Sequence, residues 1–167
     1  TTSDSKIKKL LSLRLGVVSL AEKYLTIYPI PEKNVIKMAQ EIGQHLKTLR
    51  SEMLTTTAWI QKKPWILIGT GGSATTLAGL NLNLNQYDAK RINGHILTLS
   101  SLNKLFKMLL DLTPAERLRL PMIGKGREDI ILAGTAIIMG IIKAIRQDQM
   151  TVSHAGLKEG IIAQITD

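Results

Sequence analysis

The spacing of apolar residues changes along this chain, and each change predicts where a helix or a strand begins. Apolar positions recur every three or four residues over 32–56, which predicts a long amphipathic helix. The segment 130–145 is apolar on nearly every side, and its Gly134 and Gly140 are expected to allow close contact with another helix. Because its uncharged run is shorter than the ~20 residues that a bilayer span requires, a helix buried in a protein core is predicted. Leucines alternate with polar residues over 11–15, so this segment is predicted to be a strand, and 150–153 is predicted to be a second, short strand.

Local end signals place three further helices. Thr98 or Ser100 is in position to cap a leucine-rich helix. Thr113-Pro114-Ala115-Glu116 is a capping box with proline in the first turn, which predicts the start of a short helix. A closing helix is predicted over 156–165, with its apolar residues on one face. Because helices outnumber the strands and separate them, we predict an α/β fold in which residues 1–167 form one domain with a small sheet flanked by helices.

One segment combines a predicted strand, a glycine loop and a helix. The apolar run 65–68 predicts a buried strand, and the apolar pattern then resumes with helical spacing. Between them, Gly69, Gly71 and Gly72 can adopt positive φ and let a ligand approach the main chain. Ser73 is predicted to be the N-cap of the helix. Free N–H groups at the positive end of a helix dipole bind phosphate well, but a purely structural turn has the same pattern and remains an alternative.

The charge balance favours anionic ligands. Lysine and arginine number 22 against 13 aspartates and glutamates, which gives a net charge of +9. Nucleic acid is disfavoured, because only 4% of the residues are aromatic and stacking platforms are therefore scarce. The chain has no cysteine, and its histidines, His45, His95 and His154, lack ligand spacing, which argues against a disulfide framework and a metal site. With no signal peptide or membrane span recognised, a cytoplasmic location is expected.

Several catalytic motifs fail on their sequence context. Gly69-x-Gly71-x-x-Ala74 matches the looser dinucleotide fingerprint, but a polar, Asn-rich stretch follows where a second strand ending in an acidic residue is required. Neither a Walker loop nor a Gly-x-Ser-x-Gly elbow occurs. The carboxylates with a routine role as a cap, a helix-start charge or a surface ion partner are Asp88, Asp111, Glu116, Glu128, Asp129 and Glu159. The sequence therefore offers no obvious general base.

Five longer blocks carry a resemblance to a known family. They are Leu15-Gly16-Val17-Val18-Ser19-Leu20, Gly69-Thr70-Gly71-Gly72-Ser73-Ala74-Thr75-Thr76-Leu77-Ala78, Gly94-His95-Ile96-Leu97-Thr98, Arg127-Glu128-Asp129-Ile130-Ile131-Leu132-Ala133-Gly134 and Gly156-Leu157-Lys158-Glu159-Gly160. In this order, and over nearly the whole chain, they resemble the exopolyphosphatase / guanosine pentaphosphate phosphohydrolase (Ppx/GppA) phosphatases. Ser73, Glu128 and Lys158 depart from the Thr, Ala and Arg that are common in that family.

The resemblance implies a fold and a set of site residues. It implies the second half of an actin-like, ribonuclease-H-type duplicated fold, with a partly parallel sheet that is incomplete because the first domain is missing. The implied phosphate-binding residues are Gly69, Thr70, Gly71, Gly72, Ser73 and Arg127. A structural role remains an alternative to phosphate binding for two of these residues. For Arg127 the alternative is to cap its own loop or to pair with Asp129 or Glu159, and for Thr70 it is a hydrogen bond inside the turn.

The resemblance also implies a reaction and its partners. The expected reaction removes terminal phosphate from inorganic polyphosphate or guanosine pentaphosphate. The implied base is a glutamate of the first domain, and the implied cofactor is Mg²⁺, so no residue here is assigned as catalytic or as a metal ligand. The chain is expected to be inactive without that N-terminal domain. The alternatives are a non-catalytic alarmone- or nucleotide-binding module and, more distantly, a basic nucleic-acid-binding domain. Exposed strand edges predict self-association, with a homodimer as one form of it.

Overall fold

The fold is a small sheet flanked by helices, and a computed structural model describes it for residues 2–3, 6–7, 10–55 and 66–166. The helices in these ranges are α1 Val17–Tyr24, α2 Glu32–Thr55, α3 Gly72–Asn81, α4 Ala89–Ile92, α5 Leu99–Asp111, α6 Pro114–Leu118, α7 Ile131–Ala144 and α8 Leu157–Thr166. The strands are β1 Thr2–Ser3, β2 Lys6–Ile7, β3 Ile68–Gly69, β4 Ile96–Thr98 and β5 Gln149–Val152. The predicted α/β class is confirmed.

Within the described ranges, β3, β4 and β5 form one mixed sheet. The order is β3-β5-β4, so the strand that comes last in the chain lies in the centre. Strand β3 runs parallel to β5, with Ile68 opposite Thr151. Strand β4 runs antiparallel to β5, with Leu97 opposite Met150. The partly parallel sheet that the sequence predicts is therefore confirmed, and β3 lies at its edge.

Helix α7 is the centre of the core, as its apolar sequence predicts. Leu132 belongs to the buried cluster that includes the sheet, α3 and α5, whereas Ala133 belongs to a second cluster with α1 and α2. A side chain at Gly140 would lie 2.8 Å from Ile42 Cγ2 and 2.9 Å from Leu46 Cδ1, so α2 and α7 make the close contact that this glycine predicts. Among the described helices, none is long and apolar enough to cross a membrane.

The helix ends with clear local signals are confirmed. The hydroxyl oxygen of Thr98 accepts a hydrogen bond from the Ser101 N–H at 3.0 Å and caps α5. Thr113 and Glu116 form the predicted capping box of α6. Helix α2 covers nearly all of the predicted amphipathic segment, and the predicted end at Thr56 lies outside the described residues.

Two strand predictions are wrong in part or in whole. Residues 11–15 form no strand, because the Leu15 N–H donates to the Leu13 carbonyl in a tight turn, and both leucines pack against the cluster of α1, α2 and α7. The segment 65–68 is not a buried strand: β3 begins at Ile68, whose side chain is 63% exposed. Trp65 lies outside the described residues. An apolar run predicts a strand but does not say whether both faces of its sheet are covered.

The C-terminal helix is confirmed, but its apolar face has no cover in the described part of the chain. Helix α8 begins at Leu157, close to the predicted start. Its apolar side chains are exposed, with Leu157 at 82% and Ile165 at 79%. The helical spacing of its apolar residues predicted an apolar face, and the structure places that face towards solvent rather than against the core.

Candidate anion-binding site at the glycine loop

The glycine loop, defined as residues 69–73, connects β3 to α3. Gly71 is the N-cap of α3 and has φ 94°, which only glycine adopts without strain. Of the three glycines for which positive φ was predicted, only Gly71 uses it. Ser73 is not the N-cap: it is the second residue of the helix, and the start of α3 has no side-chain cap. The prediction was wrong because glycine geometry, rather than a hydroxyl, starts this helix.

The start of α3 leaves main-chain donors free. In the described part of the chain, the N–H groups of residues 71–74 have no hydrogen-bond acceptor, and the first paired one is Thr75 N–H, which donates to the Gly71 carbonyl at 3.1 Å. Free N–H groups at a helix N-terminus carry partial positive charge. The loop is therefore an arrangement that favours an anion.

Two hydrogen bonds hold the loop against the segment that precedes α8. The Thr70 hydroxyl donates to the Ala155 carbonyl at 2.7 Å. The Ser153 N–H donates to the Gly69 carbonyl at 2.9 Å, which extends the pairing between β3 and β5. The hydrogen bond inside the turn that was considered for Thr70 is therefore not the one it makes, because its acceptor lies 85 residues away in sequence.

Ser73 fixes the other side of the loop against α7. A side chain at Gly134 would place its Cβ 2.5 Å from Ser73 Oγ and 3.7 Å from Val17 Cγ1. Gly134 therefore allows the first turn of α3 to approach α7, as its position in the apolar helix predicts. This packing orients the free N–H groups on a rigid helix end.

Arg127 lies over the glycine loop from a loop that precedes α7. A Cβ at Gly72 would lie 2.3 Å from Arg127 Nη1, so the guanidinium occupies the space that a side chain would need. Arg127 Nη1–H donates to Thr76 Oγ1 at 3.3 Å. Within the described residues it makes no ion pair with Asp129 or Glu159, so neither of the ion pairs that were considered as alternatives is formed.

The roles of Thr76 and Glu159 show what sequence reasoning could and could not find. Thr76 was missed. A threonine among the apolar residues of a predicted helix was the available signal of a buried hydrogen bond, and in the structure Thr76 is 3% exposed. Glu159 accepts the Gly156 N–H at 2.7 Å, and the N–H groups of Gly156 and Glu159 lower the pKa of its carboxyl. The predicted role of Glu159 as a charge at the start of the last helix is confirmed.

Two adjoining cavities flank the loop and share Val17, Gly72 and Ser73. The first has a volume of about 290 Å³ and is lined by residues 69–74 together with apolar side chains of β3, α7 and β5. The second has a volume of about 220 Å³, and Arg127 supplies the one ionisable side chain among its lining residues. The site therefore offers positive charge and hydrogen-bond donors but no carboxylate or imidazole. It is suited to hold an anion and not to remove a proton from water.

The same donor set does not fit a resident Mg²⁺. Magnesium takes oxygen ligands in octahedral geometry, usually carboxylates, waters and substrate phosphates. The loop presents N–H donors, and its Thr70 hydroxyl already donates to a carbonyl. Among the described residues, no group of three or more His, Cys, Asp or Glu side chains could hold a metal ion. The sequence resemblance implies Mg²⁺, and this stays a prediction. No ligands for the ion are identified among the described residues.

Comparisons with known proteins show which proteins the chain resembles in sequence. The chain is 27% identical over 151 residues to a bifunctional 3-dehydroquinate synthase/phosphatase of Fusobacterium nucleatum, covering 89% of this chain and 21% of that protein. It is 26% identical over 154 residues to exopolyphosphatase 2 of Mycobacterium tuberculosis, covering 90% of this chain and 46% of that protein. The chain thus spans about half or less of the length of the curated relatives it matches.

Solved structures and a family model give the same relationship. The crystal structure of the Ppx/GppA family member of Aquifex aeolicus superposes with a TM-score of 0.86 at 28% identity, covering 99% of this chain and 51% of that one. An exopolyphosphatase of Cytophaga hutchinsonii superposes with a TM-score of 0.80 at 25% identity, covering 96% and 50%. The model of the Ppx/GppA phosphatase family matches residues 1–167. This chain belongs to the Ppx/GppA phosphatase family.

Proposed function

We propose that this chain forms the ligand-facing half of a phosphoanhydride hydrolase that removes terminal phosphate from inorganic polyphosphate or guanosine pentaphosphate. Membership of a phosphatase family supports the reaction class, and the exopolyphosphatases among its relatives support the substrate class. The share of those relatives that the chain covers supports the proposal that a further domain completes the enzyme.

The observation that carries the proposal is the set of free donors at the glycine loop. The N–H groups of residues 71–74 have no acceptor in the described part of the chain, and the Arg127 guanidinium lies directly above Gly72. Neighbouring phosphate oxygens of a polyphosphate chain match such a combination of main-chain donors and one cation. The described helix end is free because Gly71, which has no side chain, occupies the N-cap.

The site also indicates which catalytic groups this chain supplies and which must come from another domain. Cleavage of a phosphoanhydride requires neutralisation of charge, an oriented water and a base. The loop supplies donors and positive charge, and its cavities contain no base. We therefore propose that a glutamate base and the ligands of Mg²⁺ come from an N-terminal domain that packs along the exposed edge of β3. The Mg²⁺ would neutralise phosphate charge there.

Binding and turnover test the proposal separately. The chain is titrated with inorganic tripolyphosphate in a calorimeter at low salt, and linear polyphosphate hydrolysis is assayed in parallel. We expect saturable binding, a loss of about tenfold in affinity in Arg127→Met, and no turnover. Lys125→Met, in the same loop, is the matched control and should bind within about twofold of the original chain. Absence of binding would refute the role of the glycine loop, and robust turnover would refute the proposed need for a second domain.

A non-catalytic alarmone- or nucleotide-binding module is the second candidate. The observation that favours it is the absence of any carboxylate or imidazole among the residues that line the two cavities. The longer protein decides between the two: hydrolysis of polyphosphate or guanosine pentaphosphate supports the enzyme, whereas binding without hydrolysis supports the module.

Self-association is proposed for the isolated chain, because β3 is an edge strand with an exposed apolar side chain at Ile68. Equilibrium sedimentation that shows a clean monomer would contradict this part of the proposal.

A further inference from the structure

Arg117 is a buried arginine that the proposed function does not yet use. Its side chain is 2% exposed, and it lies in α6, whose start is fixed by the capping box of Thr113 and Glu116. Burial lowers the pKa of its guanidinium, and the nearby carboxylate of Asp129 acts in the opposite direction. A buried arginine is costly unless its donors find acceptors, so its partners indicate what the residue does.

The donors of Arg117 connect two separate segments. Its Nε–H donates to the Leu109 carbonyl at 2.7 Å, in the last turn of α5, where carbonyls lack partners inside the helix and attract a cation. Its Nη1–H donates to the Glu128 carbonyl at 3.1 Å. Its Nη2 has no hydrogen-bond partner among the described residues, so Nε and Nη1 form the whole connection.

The second of these acceptors is next to Arg127 in the chain. The Arg127 N–H donates to the Gly124 carbonyl at 3.0 Å, and the Ile131 N–H donates to the Arg127 carbonyl at 3.0 Å. These bonds shape the turn but tie it only to itself and to α7. Arg117 is the group that joins this turn to α5, through the carbonyl of the residue that follows Arg127.

Resting on the proposed function, we propose that Arg117 is a positioning residue that holds the main chain at Glu128, so that the Arg127 guanidinium stays above the glycine loop for a phosphate ligand. The Arg127 side chain is exposed, and among the described residues it makes one hydrogen bond, to Thr76 at 3.3 Å. Its own contacts are therefore weak, and its position depends on the backbone that carries it.

A double-mutant cycle tests this coupling, with inorganic tripolyphosphate as the ligand. Arg117→Met is expected to lose about tenfold in affinity, close to the loss in Arg127→Met. The double variant should bind no more weakly than Arg127→Met alone, because Arg117 acts through Arg127. Losses that add in the double variant, or unchanged binding by a folded Arg117→Met, would overturn the proposal.

Two further variants separate positioning from general loss of stability. Leu102→Ala removes a fully buried side chain of α5 that makes none of the Arg117 hydrogen bonds, so it should lower the melting temperature and keep binding within about twofold. If Arg117→Met does not fold, Arg117→Lys replaces it. A single ammonium lacks the planar fork that spans two carbonyls, so the same loss is expected.

A measurement without ligand keeps this inference distinct from the proposed function. If the original chain does not bind tripolyphosphate, the proposed function fails, and hydrogen exchange then decides the role of Arg117. In Arg117→Met, the amides of Arg127 and Ile131 should exchange at least about tenfold faster than in Leu102→Ala, relative to Leu77 in α3. Equal exchange in the two variants would overturn the positioning role.

Discussion

The interface between α2 and α7 and the glycine loop both depend on glycine, and they use it in opposite ways. At the interface, Ile42 and Leu46 fill the space beside Gly140 and are 2% and 3% exposed. At the loop, no atom lies within 4 Å of the position that a Cβ on Gly71 would take. In the first region these two side chains are buried within the described chain, beside a groove of about 960 Å³ between α2 and α7. The second leaves N–H groups and apolar surface unused.

This difference separates residues that stabilise the fold from residues that await a ligand or another domain. Buried apolar contacts make the free energy of unfolding sensitive to a change at the α2–α7 interface. At the glycine loop and the edge of β3, truncating a side chain removes few buried contacts, so the free energy of unfolding should change little. Substitutions matched between the two regions therefore test the comparison directly.

The largest effect is expected on the free energy of unfolding, when an isoleucine is replaced by alanine at the α2–α7 interface and, for comparison, at the edge of β3. Ile42→Ala should lower the free energy of unfolding by about 2–5 kcal/mol, because it leaves a cavity in a packed interface. In the monomer, Ile68→Ala should change it by less than about 0.5 kcal/mol, because the side chain is 63% exposed. Urea unfolding followed by circular dichroism measures both values. Similar losses would mean that the edge of β3 is covered, for example by self-association, and would remove the contrast.

A smaller effect, seen in binding and not in stability, is expected at Gly72. Gly72→Ala places a Cβ 2.3 Å from Arg127 Nη1 and should displace that exposed guanidinium. We expect about a tenfold weaker affinity for tripolyphosphate with no loss of melting temperature.

Gly43→Ala is the matched control for that substitution. Gly43 lies in α2, and no atom would be within 4 Å of its Cβ. It should bind tripolyphosphate as the original chain does. Equal binding by Gly72→Ala and the control would show that Arg127 does not contribute to the site.

The smallest effect is expected at the start of α8, where the hydrogen bond between the Glu159 carboxylate and the Gly156 N–H should depend on pH. Main-chain N–H groups lower the pKa of its carboxyl below the usual 4.5 in the folded chain. The ionised carboxylate therefore stabilises the start of α8 fully above pH 4.5. This stabilisation is lost as the pH falls through the lower pKa of the folded chain. Hydrogen exchange at the Gly156 amide should quicken, beyond the intrinsic pH dependence, between about pH 5 and pH 2. Glu159→Gln should remove that dependence, and an unchanged profile would contradict the assignment.

Local signals account for what the sequence predicted well. The helix of 32–55, the cap at Thr98 and the capping box at Thr113 each depend on residues within a few positions of one another, so their pattern is complete in the sequence. The glycine loop was located for the same reason, although its N-cap was assigned to Ser73 and proved to be Gly71.

The errors concern contacts between distant segments. Whether residues 11–15 join a sheet depends on a neighbouring strand, and the structure provides none among the described residues. Arg127 finds its hydrogen-bond partner 51 residues earlier in the chain, at Thr76, whereas the sequence analysis considered acidic residues. The roles of Gly69, Thr70, Gly71, Gly72, Ser73 and Arg127 in binding stay predictions, because they depend on a ligand.

The position of β5 has a consequence for the order of events during synthesis. Of the three strands in the described sheet, β5 leaves the ribosome last, yet it lies between β3 and β4. Until residues 149–152 emerge, the nascent chain carries two strands that have no neighbour to pair with, a state that is open to wrong pairing. The glycine loop is attached to β3, so its geometry is also set only after β5 has emerged.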